Sequence, residues 1–490
     1  MNKNSWNYKF RFLILPGLKR WILIIALGIF TIVTGVLLLL EEHPVDKLLK
    51  MVDRVERVLR RGAHAVPHEI SGIIFLSIGG LVTSIAVARF SLSILGAYMP
   101  DNRESIPDVL YRRRHLDRGP RVVVIGGGTG LSNLLKGLKS FTNNITAIVT
   151  VGDDGGSSGR LREELGVLPP GDMRNCITAL ADEEKLVTEL FRYRFQQGSG
   201  LEGHSFGNLF LTAVCAITNG DMLEAARAAS RVLNSCGQVL PSTLQGMSLI
   251  AELENGHVVR GESQISESQS RIVRLQSDPA LPEPTPAALD AIAHADLIVI
   301  GPGSLFTSVI PNLIVKGVPE AIKRSRASKV YVCNVMTQKG ETTGLSVSDH
   351  VRALLTHAGY PDGTQKDQRR FIDRVLINLV PGPDLNKLAN TVHFEPEKLK
   401  PLGVRPMLRE VASTELPGHH DPEKLAAALM LWYAKRSKRP IFPRSRAGGG
   451  NGSAGGGTPA GGPPPRRRAS DKIAESKPGS ADGPPVAASL

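Results

Sequence analysis

Arg121-Val122-Val123-Val124-Ile125-Gly126-Gly127-Gly128-Thr129-Gly130-Leu131 decides the fold class of this 490-residue chain. The β-branched run Arg121–Ile125 reads as a buried strand, and the glycines after it open onto a helical stretch reaching to about Ser140. A strand that empties through glycines into a helix brings backbone N–H groups to the helix N-terminus, which favours a phosphate. Glycine is needed because a Cβ would block that approach. Both familiar nucleotide fingerprints are missing. The sixth position is Leu131 rather than glycine, and no Gly-Lys-Ser/Thr follows. Gly126, Gly127, Gly128, Thr129 and Gly130 are therefore candidate contacts for a phosphorylated small molecule, with a plain tight turn as the alternative.

Working outward, the alternation repeats. Ile145–Val151 reads as a second strand, and further strands are expected at Leu297–Ile300, Val330–Val335 and Val375–Leu379. Helical patterns fall near 286–294, 318–326 and 347–358. Alternating strands and helices imply an α/β fold, a mostly parallel sheet with helices on both faces. Met247–Leu253 and His257–Ser263, joined by Asn255-Gly256, read as an inserted β-hairpin. Residues 422–436 make a last amphipathic helix.

Chemistry gathers at the strand ends. Asp153 and Asp154 follow the second strand in Gly152-Asp153-Asp154-Gly155-Gly156-Ser157-Ser158, where open α/β sheets bind ligands. They could accept a ribose hydroxyl, hold Mg²⁺ beside phosphates, take a proton, or merely cap a turn. Pro169-Pro170-Gly171-Asp172-Met173-Arg174-Asn175 opens a helix. Asp172 is either its N-cap or a ligand contact, Arg174 suits a phosphate, and Asn175 lies beside them. Gly203-His204-Ser205-Phe206-Gly207-Asn208 spells the G-x-S-x-G of a hydrolase elbow. That elbow needs a strand before the serine, and 196–202 does not read as one. Ser205 as a helix cap fits better, as do His204 and Asn208 facing a ligand. Gly301, Gly303 and Ser304 form a second small-residue loop permitting close approach to a phosphate or sugar, and Asn334 offers an amide to a base or sugar.

The formal charge of +13 sits at the two ends. Residues 1–20 carry +5, residues 435–490 carry +8, and the body between sums to zero. Basic ends on a neutral body suit an anionic membrane surface better than a nucleic acid. Aromatics at 5% with no basic stacking patch also disfavour nucleic acid. Trp21–Leu40 and Ile70–Ala88 are uncharged and long enough to be spans, and Gly72, Gly79, Gly80 and Ser84 suit close packing in lipid. Val45, Leu48, Leu49, Val52, Val55, Val58 and Leu59 between them pattern an interfacial amphipathic helix. The expected order is a basic segment (1–20), a membrane region (21–96), a linker (97–120), the α/β domain (121–436) and a disordered basic tail (437–490). Two spans return the chain to its starting side, placing the domain with phosphorylated metabolites in the cytoplasm. Cys176, Cys215, Cys236 and Cys333 show no disulfide or zinc spacing.

Five segments taken in this order resemble the gluconeogenesis factor family (YvcK type), which belongs with the CofD-like 2-phospho-L-lactate transferases. They are residues 149–162, Pro169–Asn175, 203–209, 301–309 and 332–342, the last reading Val-Cys-Asn-Val-Met-Thr-Gln-Lys-Gly-Glu-Thr. The resemblance implies a Rossmann-like domain that binds a nucleotide or a UDP-sugar such as UDP-N-acetylglucosamine. It further implies a role in cell shape and envelope synthesis on gluconeogenic carbon. Envelope-synthesis proteins and a second copy of the chain are expected partners. Ligand contact is carried onto Gly127, Gly128, Thr129, Asp153, Asp154, His204, Asn208, Gly303, Ser304 and Asn334. Phe306 stands where the family leads one to expect Tyr, so a hydroxyl contact at that ligand-facing position is missing. The two spans and the tail depart from the soluble family pattern. The alternative is a transferase that uses a nucleotide-activated donor, with Mg²⁺ on Asp153 and Asp154. Nothing in the sequence marks an acceptor pocket for it.

Overall fold

The computed structural model describes residues 18–39, 68–98, 115–181, 185–365, 369–379 and 390–437. The interfacial helix expected at 45–59, the linker before 115 and the tail after 437 lie outside these residues. The described strands, in chain order, are β1 (Val122–Gly126), β2 (Ile145–Val149), β3 (Gln238–Pro241), β4 (Ser248–Leu253) and β5 (Val258–Arg260), then β6 (Ile272–Asp278), β7 (Leu297–Ile300), β8 (Ser328–Val332), β9 (Arg374–Asn378) and β10 (Arg405–Arg409). Seven of them form one parallel sheet in the order β10-β9-β8-β7-β1-β2-β3.

β1, β2, β7 and β8 are buried at every residue, as continuous apolar runs must be in a sheet covered on both faces. The two-residue period then sorts their side chains. Val123, Ile125, Ile148, Ile298 and Ile300 enter one core, shared with the helices Pro286–His294, Val318–Arg324 and Val347–His357. Val122, Val124, Ala147, Val149, Leu297 and Val299 enter the other, shared with Gly128–Leu138, Gly171–Leu180, Phe206–Ile217, Met222–Val232 and Pro422–Ser437.

The chain steps outward from β1 through β2 to β3, then returns to β7 on the other side of β1 and steps the opposite way. This is a Rossmann strand order, and its reversal opens a crevice beyond the carboxyl ends of β1 and β7. The two glycine loops meet there, backbone against backbone. A Cβ on Gly130 would lie 3.0 Å from the carbonyl carbon of Pro302, and one on Gly303 (φ +157) would lie 3.0 Å from the Gly127 oxygen.

The inserted hairpin is present as β4 and β5 but is larger than its two strands. β6 pairs with the free side of β4, making an antiparallel sheet ordered β5-β4-β6. The second strand of the hairpin is also shorter than expected, because Gly261 (φ +92) ends it and the helix Glu262–Glu267 begins. β3 and β10 were not legible in the sequence. Both are edges of the large sheet and carry Pro241 and Pro406, which an edge tolerates and a central strand does not.

N-terminal to the domain, the helices Leu18–Leu39 and His68–Tyr98 pack antiparallel. A Cβ on Gly79 would sit 2.8 Å from Ile32 N and 3.0 Å from Gly28 O, and one on Gly35 would sit 3.0 Å from Gly72 O. Leu23, Leu27, Ile73, Ile78, Leu81 and Ile85 point outward and exposed. Among the described residues of this region one stretch, Ile70–Ser93, is long and apolar enough to cross a bilayer, while the apolar part of the first helix, Arg20–Val36, is shorter.

Candidate functional site

Three helices begin at the crevice: Gly128–Leu138, Gly156–Leu165 and Gly171–Leu180. None is capped by the side chain of its own N-cap residue, so its first-turn N–H groups and positive dipole end are left to other partners. Carboxylates answer that charge. The Gly128 N–H donates to Asp172, and the Gly155 N–H donates to Asp153 Oδ1 at 2.9 Å. Gly127 must lack a side chain here, because a Cβ would run into Asp172 Oδ2. A Cβ on Gly171 would lie 2.7 Å from Asp153 Oδ2, so both carboxylates stand at the start of one helix. Asp172 is not the N-cap, which is Pro170; it turns from the first turn onto the glycine loop. Burial, reinforced by Asp153, pushes its pKa up to about 7.

Asp154 parts company with Asp153. The Ser263 N–H and hydroxyl both donate to Asp154 Oδ1 at 2.9 Å, fastening the start of the Glu262–Glu267 helix. That helix delivers Glu262 to Asp153, Asp172, Asp154 and Glu341, and burial among them pushes its pKa up to about 9. Glu341 is 5% exposed. It accepts the Phe306 N–H (3.0 Å), the Thr307 N–H (3.2 Å), the Thr307 hydroxyl (2.8 Å) and the Ser266 hydroxyl (3.5 Å). The N–H groups that open the turn after the second glycine loop are therefore already taken by an internal carboxylate. This loop is a wall of the crevice, not the free phosphate cradle expected from its glycines.

Ser205 caps the helix Phe206–Ile217, accepting the Asn208 N–H at 3.3 Å, and 196–202 form no strand, which removes the hydrolase reading. His204 and Asn208 are each 2% exposed. His204 Nδ1 lies 3.0 Å from Ser157 Oγ, and Asn208 Nδ2 donates to Ser157 Oγ at 3.1 Å. Through Ser157 both side chains tie two helix starts together, while the Asn208 Oδ1 is buried without a hydrogen-bond partner. Burial and the nearby Arg160 hold His204 below its ordinary pKa. Arg174 donates to Ser205 Oγ at 2.6 Å and to Asn175 Oδ1 at 2.7 Å. Burial and Arg194 lower its pKa, while Asp172 and Asp153 oppose them.

On the far wall Asn334 pairs with Gly303, donating to its carbonyl at 2.9 Å, and Gln338 donates to Ser304 Oγ at 2.9 Å. Thr129 is exposed at the mouth. Phe306 does not face the crevice. It is 3% exposed and packs edge-on against His357 with ring centres 6.2 Å apart, so position 306 lends the site only its main chain. The structure thus brings together Gly126–Gly130, Asp153, Asp172, Arg174, Asn175, Gly301, Gly303, Ser304 and Asn334. It adds Glu262, Gln338 and Glu341, whose roles arise from chain crossings that no local pattern announces. Among the described residues no group of three or more His, Cys, Asp or Glu is arranged to hold a metal ion, and the four cysteines are free.

Fold and crevice together define a doubly wound α/β domain of Rossmann type with its site at the strand-order reversal. The family model described as 2-phospho-L-lactate transferase CofD matches residues 122–412. A putative gluconeogenesis factor from Nostoc sp. is 47% identical over 429 residues, covering 85% of this chain and 91% of that protein. The gluconeogenesis factor of Bacillus subtilis is 46% identical over 318 residues, covering 64% of this chain and 97% of its own length. A crystal structure of a UPF0052-family protein from Bacillus halodurans superposes with a TM-score of 0.59 at 46% identity, covering 64% of this chain and 99% of that one. The chain belongs to the gluconeogenesis factor family, with a CofD-like domain. The Nostoc match is longer than residues 115–437, so it reaches beyond the α/β domain.

Proposed function

We propose that this chain is a membrane-anchored protein that binds a nucleotide-activated sugar of the UDP type in the crevice and acts in envelope synthesis and cell shape during gluconeogenic growth. The observation that carries the reading is the convergence of three helix starts without N-cap side-chain bonds on two touching glycine loops at the strand-order reversal. Such a place stabilises phosphate and admits the close backbone approach a diphosphate needs. The paired glycines and apolar exterior of the two N-terminal helices support insertion in a bilayer, with the α/β domain on the cytoplasmic side. Fractionation tests the anchor: the full chain should stay with membranes through alkaline washing, and release into the wash would refute it.

The description of the matching family favours one second reading, a transferase of the 2-phospho-L-lactate type using a nucleotide-activated donor. In it Mg²⁺ would be held by Asp153 with Asp172, since Asp154 is committed to Ser263. Calorimetry on the full chain in detergent separates the two. Micromolar UDP-N-acetylglucosamine binding that is indifferent to Mg²⁺ supports the binding protein. Mg²⁺-dependent binding of a guanosine-diphosphate donor, with no affinity for UDP-sugars, supports the transferase and overturns the first reading.

A further inference from the structure

The body of the chain sums to zero charge in the sequence but is not evenly charged in the fold. The crevice at the carboxyl ends of the strands gathers carboxylates, and guanidinium groups gather at the opposite end of the sheet. Arg374 and Arg405 are the first residues of β9 and β10 and stand side by side as register partners. Arg369 and Arg370 lie just before β9, and Arg436, in the last turn of the final helix, reaches to 3.8 Å from Asp373 Oδ2. Asp373 is already shared, since it also accepts the Lys329 N–H at 3.0 Å. Lys329 is buried beneath, its ammonium donating to the Ser325 and Arg370 carbonyls at 2.8 and 3.1 Å. Burial, then Arg405 and Arg436, lower the Arg374 pKa, as crowding by positive charge must. Like charges fixed side by side on neighbouring strands cost stability unless anions come between them.

The chain joins its N-terminal helices to this same edge. Residues 115–121 lead into β1 at its amino end and are tied down there. The Leu116 carbonyl accepts the Asn143 N–H at 3.0 Å, and the Asn144 amide donates to the Asp117 and Gly119 carbonyls at 2.8 Å each. Residues 99–114 separate this entry from Tyr98, a reach of about 60 Å at most, so the edge cannot stray far from the end of that helix. The segment ends in Arg112-Arg113-Arg114, and the final helix leads past Arg436 into the basic C-terminal segment. Resting on the membrane-anchor reading above, we propose that the amino edge of the large sheet, centred on Arg369, Arg374, Arg405 and Arg436, docks on the anionic phospholipid headgroups of the bilayer that holds the N-terminal helices. The crevice, at the other end of the strands, then opens away from the lipid toward soluble ligand.

Trp432 is a native reporter, because Arg436 lies over its ring at 5.8 Å from the centre. Trp6→Phe and Trp21→Phe leave it as the one tryptophan of the full chain. The chain is placed in nanodiscs of phosphatidylcholine, with or without about a third phosphatidylglycerol, and quenching is the ratio with and without a headgroup nitroxide. Trp432 should be quenched in the anionic discs and much less in neutral discs or at about 0.5 M salt. Arg369→Gln, Arg405→Gln and Arg436→Gln together should lower the docked-to-free ratio about a hundred-fold. The matching Arg→Lys triple should dock as wild type does. All three side chains are exposed, so the Gln triple should melt no lower than wild type. Quenching that is equal in neutral and anionic discs, or equal in wild type and the Gln triple, overturns the proposal. So does a difference between those two proteins that is confined to RNA retention. A chain that does not enter the discs sinks the anchor reading instead. Salt-sensitive co-sedimentation with phosphatidylglycerol vesicles, lost in the Gln triple, would then still support the docking edge, and equal co-sedimentation would overturn it.

Discussion

Replacing Asp172 by Asn should make the folded chain more stable at neutral and alkaline pH, although it removes a charged group from the heart of the site. The carboxyl is held at about 7 against an ordinary value of 3.8. Below the lower value the acid is neutral in both folded and unfolded chains and costs nothing. Between the two values only the unfolded chain ionises, so stability drains away as pH rises. Above about 7 the whole penalty is present. A shift of three units corresponds to about 4 kcal/mol. Water reaching the partly exposed side chain reduces this to about 2–3 kcal/mol. Asn keeps an oxygen for the Gly128 N–H and nearly the same volume, so little else changes. Urea melts of the full chain in detergent should show the advantage of Asn growing by about 2 kcal/mol between about pH 5 and about pH 8. Parallel curves for the two proteins over that interval would refute the account of the Asp153–Asp172 contact. An advantage that shrinks with rising pH would reverse its sign.

Three further outcomes follow from the packing. Gly79→Leu should separate the N-terminal helices and lower their stability in lipid nanodiscs by about 1–3 kcal/mol, whereas Gly80→Leu, which meets nothing within 4 Å, should be neutral. Equal effects at both positions would refute the helix pairing. Glu341→Ala should cost about 2–4 kcal/mol in chemical denaturation, since it strands the Phe306 and Thr307 N–H groups and a hydroxyl in the interior. Asn208→Ala should cost about 1–2 kcal/mol by removing a donor from Ser157, with hydrogen exchange rising at the starts of both helices it joins. Unchanged exchange there would argue against the bracing role.

The central architecture was legible because β1, β2, β7 and β8 are buried on both faces and must read as unbroken apolar runs, while the glycines between them mark the turns. β3, β6 and β10 were not legible. An edge strand needs only one covered flank, so Pro241 and Pro406 sit in it without penalty, and β6 alternates too weakly to declare itself. The candidate residues at strand ends were likewise readable, since topology places such ends at one crevice. Their division of labour was not. Asp153 and Asp154 are adjacent in sequence, yet one faces Asp172 and the other caps a helix of the insertion. Phe306 and Ser304 are two positions apart, yet one ring lies in the core and the other side chain lines the wall. By itself the sequence determined the fold class and the family, because these depend on local pattern and on which strand ends carry glycine. Only the tertiary structure decided that Glu341 already fills the second N–H cradle, that Asp172 lies on the first and that Glu262 arrives from the insertion. Each is a contact between segments distant in the chain, set by how the helices and the inserted sheet pack rather than by any periodicity along it.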